Sequence, residues 1–207
     1  MTENENRRSA RRQQRGLQRQ VEILNAAGLV MAEVGYENTT TNAIAARADI
    51  SPGSLYQYFP NKEAIADALA QRYKDELHME WDNVFAPEIA ALPLNALVDL
   101  MVNALLTFNQ ARPGFAVLFF GDDISPELAA MGNELHDGMI ARFGGLIAAR
   151  APQIPIEQRN LIADVIMKVH KAFMPSLLGA ENDYRQQMLA EMKRVLHGYL
   201  ASYVGEK

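Results

Sequence analysis

Residues 40–62 read TTNAIAARADISPGSLYQYFPNK, and this stretch decides the fold. Thr41 offers a side-chain cap to a short helix whose apolar positions are Ile44, Ala45 and Ala48. A helix that short, with side chains that small, has to lie close against a neighbour. Ala48-Asp49-Ile50-Ser51 then reverses the chain, with Ile50 as an apolar plug. Ser51-Pro52 restarts a helix: a side-chain oxygen for the unpaired amides, then a ring already set to the helical φ. Across residues 53–59, Leu55 and Phe59 stand four apart on one face, which leaves Gly53, Ser54, Tyr56, Gln57 and Tyr58 to face outward. Two short helices and a tight turn, the second with a polar outer face, make a helix-turn-helix. That motif lays its second helix in the DNA major groove.

Working outward, Asn61 caps the next helix and Glu63 sits in its first turn. Ile65, Ala68, Leu69, Tyr73, Leu77 and Trp81 carry its apolar stripe to residue 84. Upstream, Leu17, Val21, Leu24, Gly28 and Met31 recur at helical spacing, widened by Val30 and Val34. Gly35 is a natural left-handed cap, and Tyr36 can pack back on the core. Residues 1–15 lack apolar periodicity and are expected to form a flexible basic arm. Downstream, Pro87 and Pro93 bracket a break, followed by helices over 94–110, 113–120, 125–150, 156–178 and 182–203. Ser125-Pro126-Glu127 and Asn182-Asp183 are start signals, and Pro175 shortens or bends the helix it occupies. No strand-like alternation occurs, so the fold class is all-α.

A chain of 207 residues with 49% hydrophobic and 22% charged residues is a globular composition, not a disordered one. No apolar run approaches the roughly 18–20 residues that span a bilayer. The polar, arginine-rich start has no apolar region of a secretory signal. Zero cysteines excludes disulfides and thiolate metal sites. The net charge of −5 looks unsuited to DNA, but residues 1–62 hold eight basic against six acidic groups, a balance of +2, leaving −7 elsewhere. Phosphate binding depends on local potential, which this asymmetry supplies.

Gly35-Tyr36, Thr40-Thr41, Ile44-Ala45-Ala46-Arg47-Ala48 and the unbroken run from Ser51 through Lys62 together resemble the DNA-binding domain of the TetR family of transcriptional regulators. The likeness is dense over residues 17–70 and elsewhere extends only to length and helical content. It implies a flexible arm over 1–15, a helix-turn-helix DNA-binding domain over 16–62, and a C-terminal helical ligand-sensing and dimerisation domain over 63–207. It implies a homodimer through the helices near 156–178 and 182–203, a palindromic double-stranded DNA operator, a small-molecule effector, no membrane, and a bacterial cytoplasm.

The expected DNA contacts are Thr40, Thr41, Ser51, Gly53, Ser54, Tyr56, Gln57, Tyr58 and Lys62. Gln57 can offer a bidentate amide to adenine, and the tyrosines offer hydroxyls to phosphate and rings to thymine methyls. Thr40, Thr41, Tyr58 and Lys62 enter as phosphate contacts through the resemblance. The bland reading makes Tyr56 and Tyr58 half-buried packing residues. Arg7, Arg8, Arg11, Arg12 and Arg15 either enter an adjacent minor groove or form a solvated tail.

In the sensing half, Trp81, Met101, Phe108, Phe115, Met139 and Phe143 are candidate linings for an apolar cavity, with His136 and His170 as polar handles. For any one of them an ordinary core position is the safer reading, and a lone histidine on an amphipathic helix is more often a satisfied structural residue. The four histidines, His78, His136, His170 and His197, are scattered without an i, i+4 pair, and Gly144-Gly145 lies in a helical pattern rather than after a strand. The sequence therefore implies no catalysis, metal or cofactor, although a site assembled from distant residues stays open. Two functions remain: a ligand-responsive regulator, read as a repressor, and a small-molecule-binding helical protein without DNA binding.

Overall fold

The computed structural model describes residues 3–121, 124–179 and 181–205, and every regular element among them is helical. The order is α1 (Glu3–Val34), α2 (Thr41–Arg47), α3 (Pro52–Leu55), α4 (Lys62–Val84), a 3-10 turn (Pro87–Ala91), α5 (Leu94–Ala111), α6 (Phe115–Phe120), α7 (Pro126–Arg150), α8 (Ile156–Gly179) and α9 (Asn182–Val204). Among the described residues no helix is long and apolar enough to cross a membrane. The chain forms two compact units, one of Met1–Arg72 with Pro113–Leu128, the other of Tyr73–Arg112 with Ala129–Lys207.

In the first unit, α1 begins at Glu3, so the segment expected as a flexible arm is the start of a helix. Arginine and glutamine are good helix formers, and no proline interrupts them. Residues 1 and 2, and the side chains of Arg7 and Arg8, lie outside the described part. The buried face of α1 is Ile23, Leu24, Ala26, Ala27, Val30 and Met31, while Leu17, Val21 and Val34 are exposed. The sequence reading named Leu24, Gly28, Val30 and Met31 but left out Ile23, Ala26 and Ala27, because its stripe ran partly along the exposed side. α6 packs on α1 here: a Cβ on Gly114 would lie 2.9 Å from the Gly28 carbonyl oxygen. Gly114 also has φ +84, a second reason that position takes no side chain. Gly35 closes α1 as expected, with φ +80 and its amide on the Met31 carbonyl.

The second unit packs α5 against α8 and α9, with α7 beside them. α5 buries Leu97, Met101, Leu105 and Phe108 on its inner side, and Lys193 of α9 reaches Asp99 of α5 at 2.9 Å. Arg112, at the C-terminal end of α5, is held by Glu76 at 2.7 Å and by Glu80, with its guanidinium 3.8 Å from the Phe108 ring centroid. α8 continues past Pro175 to Gly179, its last turns anchored by buried Met174 and Leu177. The cap of α9 is Glu181 with no side-chain bond, so Asn182 is already helical rather than the cap its sequence suggested.

Candidate nucleic-acid interface and apolar cleft

The helix-turn-helix is built from short-range bonds. Thr40, not Thr41, caps α2: its Oγ1 accepts from the Ala43 amide at 3.1 Å. Thr41 is thereby the first helical residue, and its hydroxyl shares a 3.0 Å hydrogen bond with the Tyr56 hydroxyl. Ile44 and Ala45 are fully buried, as small side chains at a close helix contact should be. The turn passes through Asp49 at φ +53, a region that Asp tolerates better than most residues. Ser51 then caps α3, accepting from the Ser54 amide at 3.1 Å, while the two serine hydroxyls lie 2.9 Å apart.

α3 is shorter than the 53–59 helix expected. After Leu55 the amides of Gln57 and Tyr58 bond to the carbonyls of Ser54 and Leu55, three residues back. Pro60 explains the tightening, because the residue before a proline is pushed out of the helical region. The face survives the change. Leu55 is 0% and Phe59 7% exposed, while Gly53, Tyr56 and Gln57 are exposed and Ser54 and Tyr58 half-buried. A Cβ on Gly53 would meet only Ser51 Oγ, at 3.9 Å.

Lys62 has a structural role that the sequence did not reveal. Its Nζ donates to the carbonyls of Tyr36 at 3.1 Å and Glu37 at 3.2 Å, and stands 4.5 Å from the Tyr36 ring centroid. It thus ties the start of α4 to the loop after α1. Asn61 caps α4 as expected, accepting from the Ala64 amide at 2.8 Å. Arg47 of α2 reaches Glu33 of α1 at 2.6 Å, which holds the Glu33 carboxyl below its ordinary range.

The second unit contains a narrow apolar cleft with about 40 Å³ of free space. Its walls come from α5, α7, α8 and α9, with Leu97, Val98 and Leu105 facing Leu146, Ile166 and Leu196. Of the expected lining residues, Met101, Phe143 and His170 are there. Trp81, Phe108, Phe115, Met139 and His136 are used elsewhere. Trp81 stacks on Phe85 at 5.3 Å, Phe108 lies under Arg112, and Phe115 packs on Phe119 at 4.8 Å in the first unit. Met139 is buried, and His136 Nε2 pairs with Asp164 Oδ1 at 3.1 Å. His170 is 1% exposed, and burial pushes its pKa down to about 4, so it is neutral at pH 7.

The sequence reading missed Arg150. It also lines the cleft, and its Nη1 donates to the Ala90 and Leu92 carbonyls at 2.9 and 2.6 Å. Its Nε and Nη2 are buried without a hydrogen-bond partner. In the sequence, an arginine in the last turn of a helix reads as an ordinary complement to the helix dipole.

Similarity to known proteins agrees with this geometry. The chain is 27% identical over 137 residues to the nucleoid occlusion factor SlmA of Glaesserella parasuis serovar 5, covering 64% of this chain and 66% of that one. It is 33% identical over 94 residues to the HTH-type transcriptional repressor KstR2 of Rhodococcus jostii, 45% of this chain and 46% of that one. The matches thus span less than two thirds of these relatives' lengths. A crystal structure of a TetR-like transcriptional regulator from Rhodococcus sp. RHA1 shares the fold, with a TM-score of 0.70 at 20% identity over 88% of this chain and 96% of that one. Residues 23–69 match the family described as bacterial regulatory proteins, tetR family, and residues 93–200, more than half the chain, match the tetracyclin repressor-like C-terminal domain. With both halves matched, the chain belongs to the TetR family.

Proposed function

We propose that the protein is a ligand-responsive transcriptional repressor that leaves a palindromic operator when a small apolar or amphipathic effector binds. The observation that carries this reading is the outer face of the helix-turn-helix. Gly53, Tyr56 and Gln57 are exposed there, on a turn anchored from below by Leu55 and Phe59. Gln57 supplies paired amide groups for a base edge, and Tyr56 and Tyr58 supply hydroxyls for phosphate. Thr40, Thr41, Ser51, Ser54 and Lys62 complete the contact set, Lys62 with the donor that its two carbonyl partners leave over. The arginines at the start of α1 add positive charge that strengthens phosphate binding and its salt dependence.

Two further features support the reading. Ile156 and Leu161 of α8 and Tyr184 and Val195 of α9 are large exposed apolar residues. They suit a homodimer through these two helices, which sets two heads about 34 Å apart for successive major grooves. The cleft is the effector site, and α4 is the lever, a single helix whose residues belong to both compact units. Effector and operator then weaken each other's binding by the same factor. A role on chromosomal DNA requires the cytoplasm.

The test is selection of genomic fragments by the purified protein, repeated with Gly53→Ala. The expected result is an enriched palindrome whose affinity falls steeply with salt. Gly53→Ala should fold normally, since the space for its methyl group is open, yet bind the palindrome at least ~10-fold more weakly if backbone meets DNA there. A folded dimer that enriches no site at low salt would leave the small-molecule-binding protein without DNA binding. Sites scattered over the chromosome, rather than at promoters, would align it with its nucleoid occlusion relative instead of its repressor relative.

A further inference from the structure

Two hydroxyl pairs in the helix-turn-helix are placed differently. Ser51 and Ser54 lie 2.9 Å apart within the cap of α3, where Ser51 Oγ also accepts from the Ser54 amide. That pair closes one turn of one helix. Thr41 and Tyr56 lie 3.0 Å apart and join the first residue of α2 to the residue that ends α3, 15 positions along the chain. Tyr56 is 52% exposed and Thr41 half-buried, so the phenol is the outer partner of the pair. The backbone of Tyr56 is fixed by its amide on the Pro52 carbonyl at 3.0 Å and by the buried Leu55 beside it. An exposed tyrosine ring on a fixed backbone still turns about its two side-chain torsions. A hydrogen bond at its tip, from a neighbouring helix, selects one setting before any partner arrives.

Each of the two hydroxyls carries one O–H, and one of these is spent inside the pair. A phosphate beside the pair therefore receives one hydrogen bond from it, not two. The phenol is the group to give that bond, because it is both the more acidic hydroxyl and the more exposed one. Thr41 then donates to the phenol oxygen, and a hydroxyl that accepts a hydrogen bond donates its own more strongly.

We infer that Thr41 is a positioning residue for DNA binding: it donates to the Tyr56 hydroxyl and holds it toward a single backbone phosphate of the operator. This rests on the reading of the helix-turn-helix face as the operator-binding surface, and it brings Thr41 into the contact set through Tyr56 rather than by a phosphate of its own. Gln57, the adjacent exposed residue, keeps its amide for a base edge, so losing the pair weakens binding without changing the preferred sequence.

The test is a double-mutant cycle in the full chain on the palindrome it selects, with Tyr56→Phe and Thr41→Val, which remove each oxygen and keep most of the shape. Tyr56→Phe should weaken binding about 10-fold, the loss of one hydrogen bond to a charged group. Thr41→Val should weaken it by less, and the double variant should bind no worse than Tyr56→Phe, since Thr41 then has nothing to hold. Thr41→Ser should bind as the unaltered chain does. Replacing the phosphates of the palindrome one at a time by neutral methylphosphonate locates the contact. At one position in each half-site the replacement should weaken the unaltered chain, and on that duplex Tyr56→Phe and Thr41→Val should cost nothing further. A bridge that only holds α2 to α3 would instead leave both variants equally costly on every duplex. Each variant is compared with itself on two duplexes, so a modest loss of stability does not blur the result. Losses that multiply in the double variant would give Thr41 a phosphate of its own and overturn the inference. So would a Tyr56→Phe variant that binds normally, or one whose loss is the same on every duplex. In those cases the selected palindrome, and with it the operator reading, still stands; a folded chain that selects no duplex at low salt overturns both.

Discussion

Around α2 and α3, the helix caps find partners close by in the chain: Thr40 on the Ala43 amide, Ser51 on the Ser54 amide and Asn61 on the Ala64 amide. Around α5, α7, α8 and α9, some polar side chains reach far along it. Arg150 bonds to carbonyls 58 and 60 positions away, and Lys74 reaches Glu134 at 2.5 Å across the same separation. Among the described residues, the second of these regions leaves buried side-chain atoms of Asn109 and Arg150 without a hydrogen-bond partner. A recognition surface for a partner as uniform as DNA can be assembled from contiguous letters. A cleft between helices has to be assembled from residues far apart in the chain.

The contrast can be broken most sharply at the apolar anchor of the local region. Leu55 is 0% exposed, and Leu55→Ala should cost about 2–5 kcal/mol by leaving a cavity beneath α3. Hydrogen exchange should accelerate first in the amides of α2 and α3. Acceleration no greater there than in α9 would mean that the network of caps, and not Leu55, holds the motif.

The long-range region should respond to acid. His170 stays neutral in the folded protein down to about pH 4, whereas in the unfolded chain it takes up a proton near its ordinary value of 6.5. Between those values the unfolded state binds more protons, so stability is full above about pH 6.5 and falls as the pH drops toward 4. The loss from this group is on the order of 3 kcal/mol. His170→Gln should flatten that part of a thermal-unfolding profile taken across the range. An unchanged slope would show that burial does not depress the His170 pKa in solution.

The smallest effect belongs to a single cap. Thr40→Ala should cost about 1 kcal/mol, read as a shift in the denaturant midpoint without a change in slope. Thr40→Ser should restore most of it. A loss as large as that of Leu55→Ala would mean that the Thr40 hydroxyl organises more than the first turn of α2.

These two regions also differ in how much the sequence disclosed. Ser51-Pro52, Asn61, Gly35 and the Leu55–Phe59 pair could be read as caps and anchors because each acts within about four residues of itself. The same locality limited the errors: the cap of α2 moved by one residue, and α3 was shortened by Pro60. In the cleft, the reading favoured large aromatic residues and found Met101, Phe143 and His170 among its walls. Phe115 belongs to the other unit, and Trp81 and Phe108 are buried among neighbours outside the cleft. Which of many apolar residues face a cavity depends on how whole helices cross, and periodicity does not encode that. Arg150 was invisible for a further reason: its significance lies in partners it lacks.

The chain carries one tryptophan, and its position makes it an instrument. Trp81 is 5% exposed and stacked on Phe85, whose ring meets Phe143 edge-on at 5.1 Å. Phe143 in turn forms part of the cleft wall. The sole strong fluorophore therefore stands two rings behind the surface that an effector would touch, shielded from water and free of competing emitters of its kind. Changes in its emission on titration report from one known location, which turns the unlabelled protein into its own optical assay for compounds entering the cleft.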